Sequence, residues 1–253
     1  MNTMKMIELK LKSRFFRLMG IALLAPVLFL SSCNKDDDDD TQEQTISEEE
    51  AAEVVIASVS AETAGMVGQV EEASLLITAE IDEDDCNQTV TGSITGSNPP
   101  GTVMEYTYDY NRSYTLSCDG SNEPQSLTYA FTGTSGYNAP RMASDDHVSS
   151  EASVTGLGSS SVNLTFNQSY GRNGSQQSKI RNKQAFTSKV SVQTNNLVVN
   201  KLTKKVESGN ATVNISGKSS NGSNFAYTGT IVFNGNGQAT LNIQGGGTYV
   251  INL

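Results

Sequence analysis

One histidine, no tryptophan and no apolar run long enough to cross a bilayer set the first limits on this 253-residue chain. The single histidine, His147, is the one imidazole a catalytic or metal site could use, and it stands in Ser144-Asp145-Asp146-His147. Closeness along the chain is not triad geometry, no Gly-x-Ser-x-Gly turn presents a nucleophile, and this segment is expected to be a solvated loop. No catalysis is expected. Three cysteines without histidine neighbours make a poor zinc set. The acid block Asp82, Glu83, Asp84 and Asp85 offers hard oxygens, but Cys86 replaces the third ligand of an EF-type loop and Asn87 its glycine. Asp109 and Asn111 share that spacing, yet they belong to a strand pattern. Gly245 to Gly247 lacks the lysine and following helix of a phosphate cradle. No cofactor or metal is expected.

Positive charge is also scarce where a polyanion would need it. The whole chain carries −10, and residues 34 to 85 hold 18 acids against one lysine, whereas residues 86 to 253 hold 8 acids against 11 bases. An acidic segment attached to a near-neutral remainder argues against nucleic acid as a partner. The one candidate basic patch, Arg172, Lys179, Arg181 and Lys183, lies in a Ser-, Gly-, Asn- and Gln-rich stretch expected to be a solvated loop.

What is present begins with Lys5, Lys10, Lys12, Arg14 and Arg17, followed by an apolar core from Leu18 to Leu30 and then Ser31, Ser32 and Cys33. The apolar core falls short of the roughly 20 residues that span a membrane, so it reads as a cleavable export signal. Leu30-Ser31-Ser32-Cys33 resembles the lipobox of bacterial lipoproteins, which implies that Cys33 carries a diacylglycerol and becomes the first residue of the mature protein. Ser32 stands where Gly or Ala is commoner. Two or three acyl chains give stable anchoring where one does not. Lys35 followed by Asp36, Asp37, Asp38, Asp39 and Asp40 looks like the acid-rich surface-export signal of Bacteroidota-type lipoproteins. The resemblance implies a lipid-anchored outer-membrane protein at the cell surface, with a periplasm-facing anchor as the alternative. With Cys33 acylated and export through an oxidising compartment, Cys86 and Cys118 are left to pair as a disulfide.

The implied organisation is a signal peptide at 1–32, a lipidated cysteine and acidic tether at 33–46, a helical segment at 47–85 and an antiparallel β domain at 86–253. Ser47 and Glu50 match a capping box, with Glu48, Glu49 and Glu50 favourably placed on the helix dipole. Apolar residues from Ala52 through Val55, Val59, Val67, Val70 and Ile77 recur near a 3.6-residue period. Gly65 and Gly68 weaken the middle, which leaves one long helix or two shorter ones open.

After Cys86 the period becomes two. Met104, Tyr106, Tyr108, Tyr110, Tyr114, Leu116 and Cys118 share one parity, unbroken across Arg112, and so predict one long strand. Similar alternation marks Leu127 to Phe131, Ala152 to Val154, Val162 to Phe166, Phe186 to Val192, Ala211 to Ile215, Phe225 to Phe233, Ala239 to Ile243 and Tyr249 to Leu253, and Thr89 to Thr95 and Asn196 to Leu202 add further strands. Short turns between them, without helical crossovers, predict a mainly β fold: an antiparallel meander of about ten strands. The opposite parity is mostly Ser, Thr, Asn and Gln, so one face is buried, in two layers, a barrel or a curved half-barrel with the helical segment packed on it.

That pattern resembles lipocalin-like barrels and half-barrel lipoprotein carriers of acyl chains, although the Gly-x-Trp of lipocalins is absent. Two roles follow. One is a non-catalytic binding or structural lipoprotein whose partner is a glycan or protein. The alternative is a carrier of a lipid or other hydrophobic ligand, for which Tyr106, Tyr108 and Tyr110 are the candidate ligand-facing aromatics.

Overall fold

A computed structural model describes residues 45–79, 81, 85–98, 101–181 and 183–253. These residues belong to one compact unit, Thr41–Leu253. The signal segment, Cys33, Lys35 to Asp40 and residues 82–84 of the acid block lie outside the described residues.

Two helices lead the chain: α1, Glu48–Val59, and α2, Met66–Ala79, separated by a 3-10 turn at Ala61–Thr63. Helix α1 begins as its capping box requires. The Glu50 amide donates to Ser47 Oγ at 3.3 Å, while the Ser47 amide donates to Glu50 Oε2 at 3.0 Å. The two-helix alternative is the one adopted, and the break falls between Ser60 and Gly65 rather than at Gly68, which lies inside α2. A Cβ at Gly65 would sit 2.6 Å from the Ser58 carbonyl oxygen, so the close turn between the helices admits only glycine.

Ten strands follow: β1 Thr89–Ser97, β2 Glu105–Cys118, β3 Pro124–Asn138, β4 Met142–Thr155, β5 Asn163–Ser178, β6 Ala185–Asn200, β7 Val206–Ser219, β8 Asn224–Gly235, β9 Gln238–Ile243 and β10 Thr248–Asn252. They form one antiparallel sheet in sequence order, β1 beside β2 and so on to β10. β1 and β10 each pair with a single neighbour, so the sheet is open, neither a closed barrel nor a two-layer sandwich. β2 is unbroken through Arg112, at 14 residues about 46 Å long.

The inward parity of nearly every strand joins α1 and α2 in one continuous core, from Val54, Val55 and Val67 to Phe166, Val192, Leu241 and Ile251. Helix α1 packs on β6, β7, β9 and β10, and α2 on β5. Val250 and Asn252 of β10 line the same cleft as Met104 and Tyr137 from the other end of the sheet. The sheet therefore bends around the helices, and the helices occupy its concave side. Helical segment and β domain are two layers of one body.

The opposite face is mostly polar, with Val232 and Val250 as exposed apolar exceptions. One row of register-matched positions across six strands reads Thr132, Ser149, Gly171, Ser191, Asn214 and Thr228. Cys86 and Cys118 are joined by a disulfide that ties the approach to β1 to the end of β2.

Three local readings are corrected. His147 lies in β4, exposed on the outer face and paired in register with Thr134 and Asn173, not in a loop. Phe186 to Val192 and Asn196 to Leu202 are not separate strands. They merge into β6 up to Asn200, and a bulge near Asn195 and Asn196 changes the inward parity from Val192 and Thr194 to Leu197 and Val199. Val162 precedes β5 and is exposed, whereas Leu164 and Phe166 are fully buried.

Candidate functional site

Two features stand out from the apolar interior, and both lie where the helices meet the sheet. The first is the tyrosine ladder of β2. Alternation turns Tyr106, Tyr108 and Tyr110 to the concave side, with ring centroids 6.3 Å and then 5.1 Å apart. Their surroundings differ. Tyr110 is 2% exposed, donates its hydroxyl to the Ala64 carbonyl oxygen at 3.0 Å and meets Phe131 edge-on, so it is core. Tyr106 and Tyr108 are half-buried and line a cleft of about 110 Å³ between α2 and the β1–β2 end of the sheet. Tyr108 lies over Gly96 of β1, where a Cβ would come within 2.5 Å of the ring; the missing side chain is what lets the ring lie down.

Gln69 and Glu72 of α2 also line this cleft. Gln69 is 3% exposed and neither atom of its amide makes a hydrogen bond. Burying an amide in this way costs about 1–3 kcal/mol. Glu72 receives Arg112 Nη1 at 2.9 Å, in a pair exposed enough to add little stability. Burial, and then the carboxylate of Glu72, push the Tyr108 hydroxyl above its usual pKa.

The second feature is a buried polar hub deeper on the concave side. Asp146 of β4 and Arg172 of β5 pair at 2.6 Å with their side chains 1% and 2% exposed. Asp146 also accepts from Gln176 Nε2 at 2.8 Å and from Ser144 Oγ, while Arg172 Nη1 donates to the Ala57 carbonyl oxygen at 3.1 Å. Arg172 stacks over Tyr137, 5.1 Å from its centroid. The guanidinium thus fastens β4 and β5 to the end of α1. Burial pushes Tyr137 and Tyr170 far above the usual tyrosine range, against the opposing pull of Arg172.

The catalytic candidates separate. Ser144 and Asp146 turn inward along β4 while Asp145 and His147 turn outward, so the pleat places His147 and Ser144 on opposite faces. The expected basic patch is dispersed as well. Arg172 is sealed inside, Lys179 donates to the Ala139 carbonyl oxygen at 2.6 Å, and Arg181 is engaged with Glu49. Among the described residues, no three His, Cys, Asp or Glu side chains gather as metal ligands. Sequence reasoning missed Gln69, and it placed Asp146 and Arg172 in solvated loops rather than in the interior. The available signal was parity: Arg172 shares its register with Phe166 and Tyr170, which marks it as inward despite its charge.

No protein-family model, curated protein or solved structure matches this chain.

Proposed function

We propose that this protein is a lipoprotein held at the outer membrane through Cys33, exposed at the cell surface, and that its folded part serves as a non-catalytic binding or structural module. The observation that carries the role is the filled concave side. Helices α1 and α2 occupy the space that a carrier would reserve for its cargo, and the core they complete is continuous. The clefts left between helices and sheet hold about 110 and 160 Å³, below the roughly 300–1,000 Å³ of drug-sized ligand sites. The polar outer face and the clefts at its margin are then the surfaces available for recognition. The address rests on Leu30-Ser31-Ser32-Cys33 and the acid run behind it.

Cell fractionation tests the anchor. Cys33→Ala is expected to release the protein from membranes, and continued tight attachment would refute it. Protease applied to intact cells tests the exposure: the native protein is expected to be cut, and the version with Asp36 to Asp40 changed to alanine to be protected. Acyl chains co-purified non-covalently with the Cys33→Ala protein, which has no anchor of its own, would favour the carrier role instead.

A further inference from the structure

The cleft beside the tyrosine ladder differs from the core beneath it in three respects. Its opening depends on small residues, Ala61, Ala64 and Gly68. A Cβ at Gly68 would already touch Ala61 at 3.6 Å, so a long side chain there would fill the space. Its wall is aromatic: the rings of Tyr106 and Tyr108 lie within 11° of parallel. Its inner end holds Gln69, whose buried amide offers both a donor and an acceptor that the protein leaves unused.

We propose that this cleft binds one sugar residue, its ring against Tyr106 and Tyr108 and its hydroxyls on the Gln69 amide and the Glu72 carboxylate. An amide presenting donor and acceptor side by side matches neighbouring hydroxyls, each of which gives and takes a hydrogen bond. The aromatic wall matches the C–H face of a sugar ring. Among the described lining residues there is no lysine or arginine, and the Glu72 carboxylate is balanced by Arg112, so the cleft presents no net positive charge to draw an anion. A cleft of about 110 Å³ admits part or all of one ring and no acyl chain. The proposal deepens the binding role above but is independent of the anchor.

The test uses the full-length protein in detergent, titrated with the methyl glycosides of glucose, galactose, mannose and N-acetylglucosamine and with short oligosaccharides of each. Ligand-detected NMR reports contact, and tyrosine fluorescence reports saturation without interference, since the chain has no tryptophan. Saturable binding of at least one glycoside or oligosaccharide is expected, lost in Gly68→Leu and weakened about tenfold in Tyr106→Leu and Gln69→Leu. Tighter binding of oligosaccharide than of glycoside assigns the residue to a glycan chain; equal binding assigns it to free sugar. If none binds, or if folded Gly68→Leu binds like the native protein, the proposal is overturned. Should Gly68→Leu fail to fold, half-exposed Tyr106→Leu decides, and undiminished affinity overturns it. Loss of sugar binding alongside a Cys33→Ala protein still released from membranes would leave the lipoprotein reading standing by itself.

Discussion

Asp146 and Arg172 reach each other diagonally across β4 and β5, Arg172 Nε donating to Asp146 Oδ2 at 2.6 Å in a setting almost without solvent. Directly opposite Asp146 is Gly174, where a Cβ would lie 2.5 Å from Asp146 Oδ1; the carboxylate can lie across its neighbour because that neighbour has no side chain.

Removing one partner of such a pair strands a buried charge. Asp146→Ala should destabilise the protein by about 3–5 kcal/mol, whereas replacing both, as Asp146→Leu with Arg172→Met, should come within about 2 kcal/mol of the native protein. Denaturant melts of the three proteins measure this. A single variant as stable as the native protein would show that the hub does not hold α1 to the sheet.

The start of α1 predicts a smaller effect. Ser47→Ala removes the oxygen that receives the Glu50 amide and should cost about 1 kcal/mol, while Ser47→Asp, which can still cap, should recover most of it. Thermal melting distinguishes the two.

The disulfide closes a long loop, its cysteines lying 32 residues apart in the chain. Cys86→Ala with Cys118→Ala should lower stability by about 3–4 kcal/mol in the chain-entropy model. Reductant should lower the melting temperature of the native protein and leave the double variant unmoved.

The buried tyrosines set a response to alkali. Tyr137 and Tyr170 keep their protons in the folded state well beyond the ordinary value of 10.0, because burial disfavours the phenolate. Above that value the unfolded chain has lost protons that the folded chain retains, so this contribution to stability is complete below it and declines as pH rises. Unfolding followed by circular dichroism should become progressively easier above about pH 10. Tyr137→Phe removes both the ionisation and a hydroxyl without a hydrogen-bond partner, so it should leave neutral-pH stability unchanged or raised and move the alkaline midpoint upward.

The fold was legible wherever inward positions were apolar. β2, with Tyr110, Tyr114 and Leu116 inward, declared its whole length, and the capping box at Ser47 located α1 to the residue. Legibility failed where the interior is polar. In β4 the inward residues include Ser144, Asp146 and Ser150, and in β5 Gln168, Arg172 and Gln176, so half of each strand read as loop. β6 misled differently: its bulge shifts parity midway, and period two is visible only within each half. The candidate cleft was half legible. Tyr106 and Tyr108 belonged to the visible alternation, but Gln69 sits on a helix folded back over the strand, a juxtaposition created by the turn at Ala61–Thr63 and invisible to any local pattern.

The sequential order of the sheet has a consequence for biogenesis. Each strand pairs with the one just made, so the meander can grow as the chain emerges, yet the seat for the first helix is finished last. Glu48 at the head of α1 receives the Gly247 amide at 2.6 Å and the Tyr249 hydroxyl at 2.9 Å, and Ile46 receives the Tyr227 hydroxyl at 2.9 Å. Until β8 to β10 are delivered, the helices have an incomplete cradle and the greasy side of a growing sheet is bare. The cradle of the first helix is thus closed by the last strands of the sheet, which clasp Ile46 and Glu48.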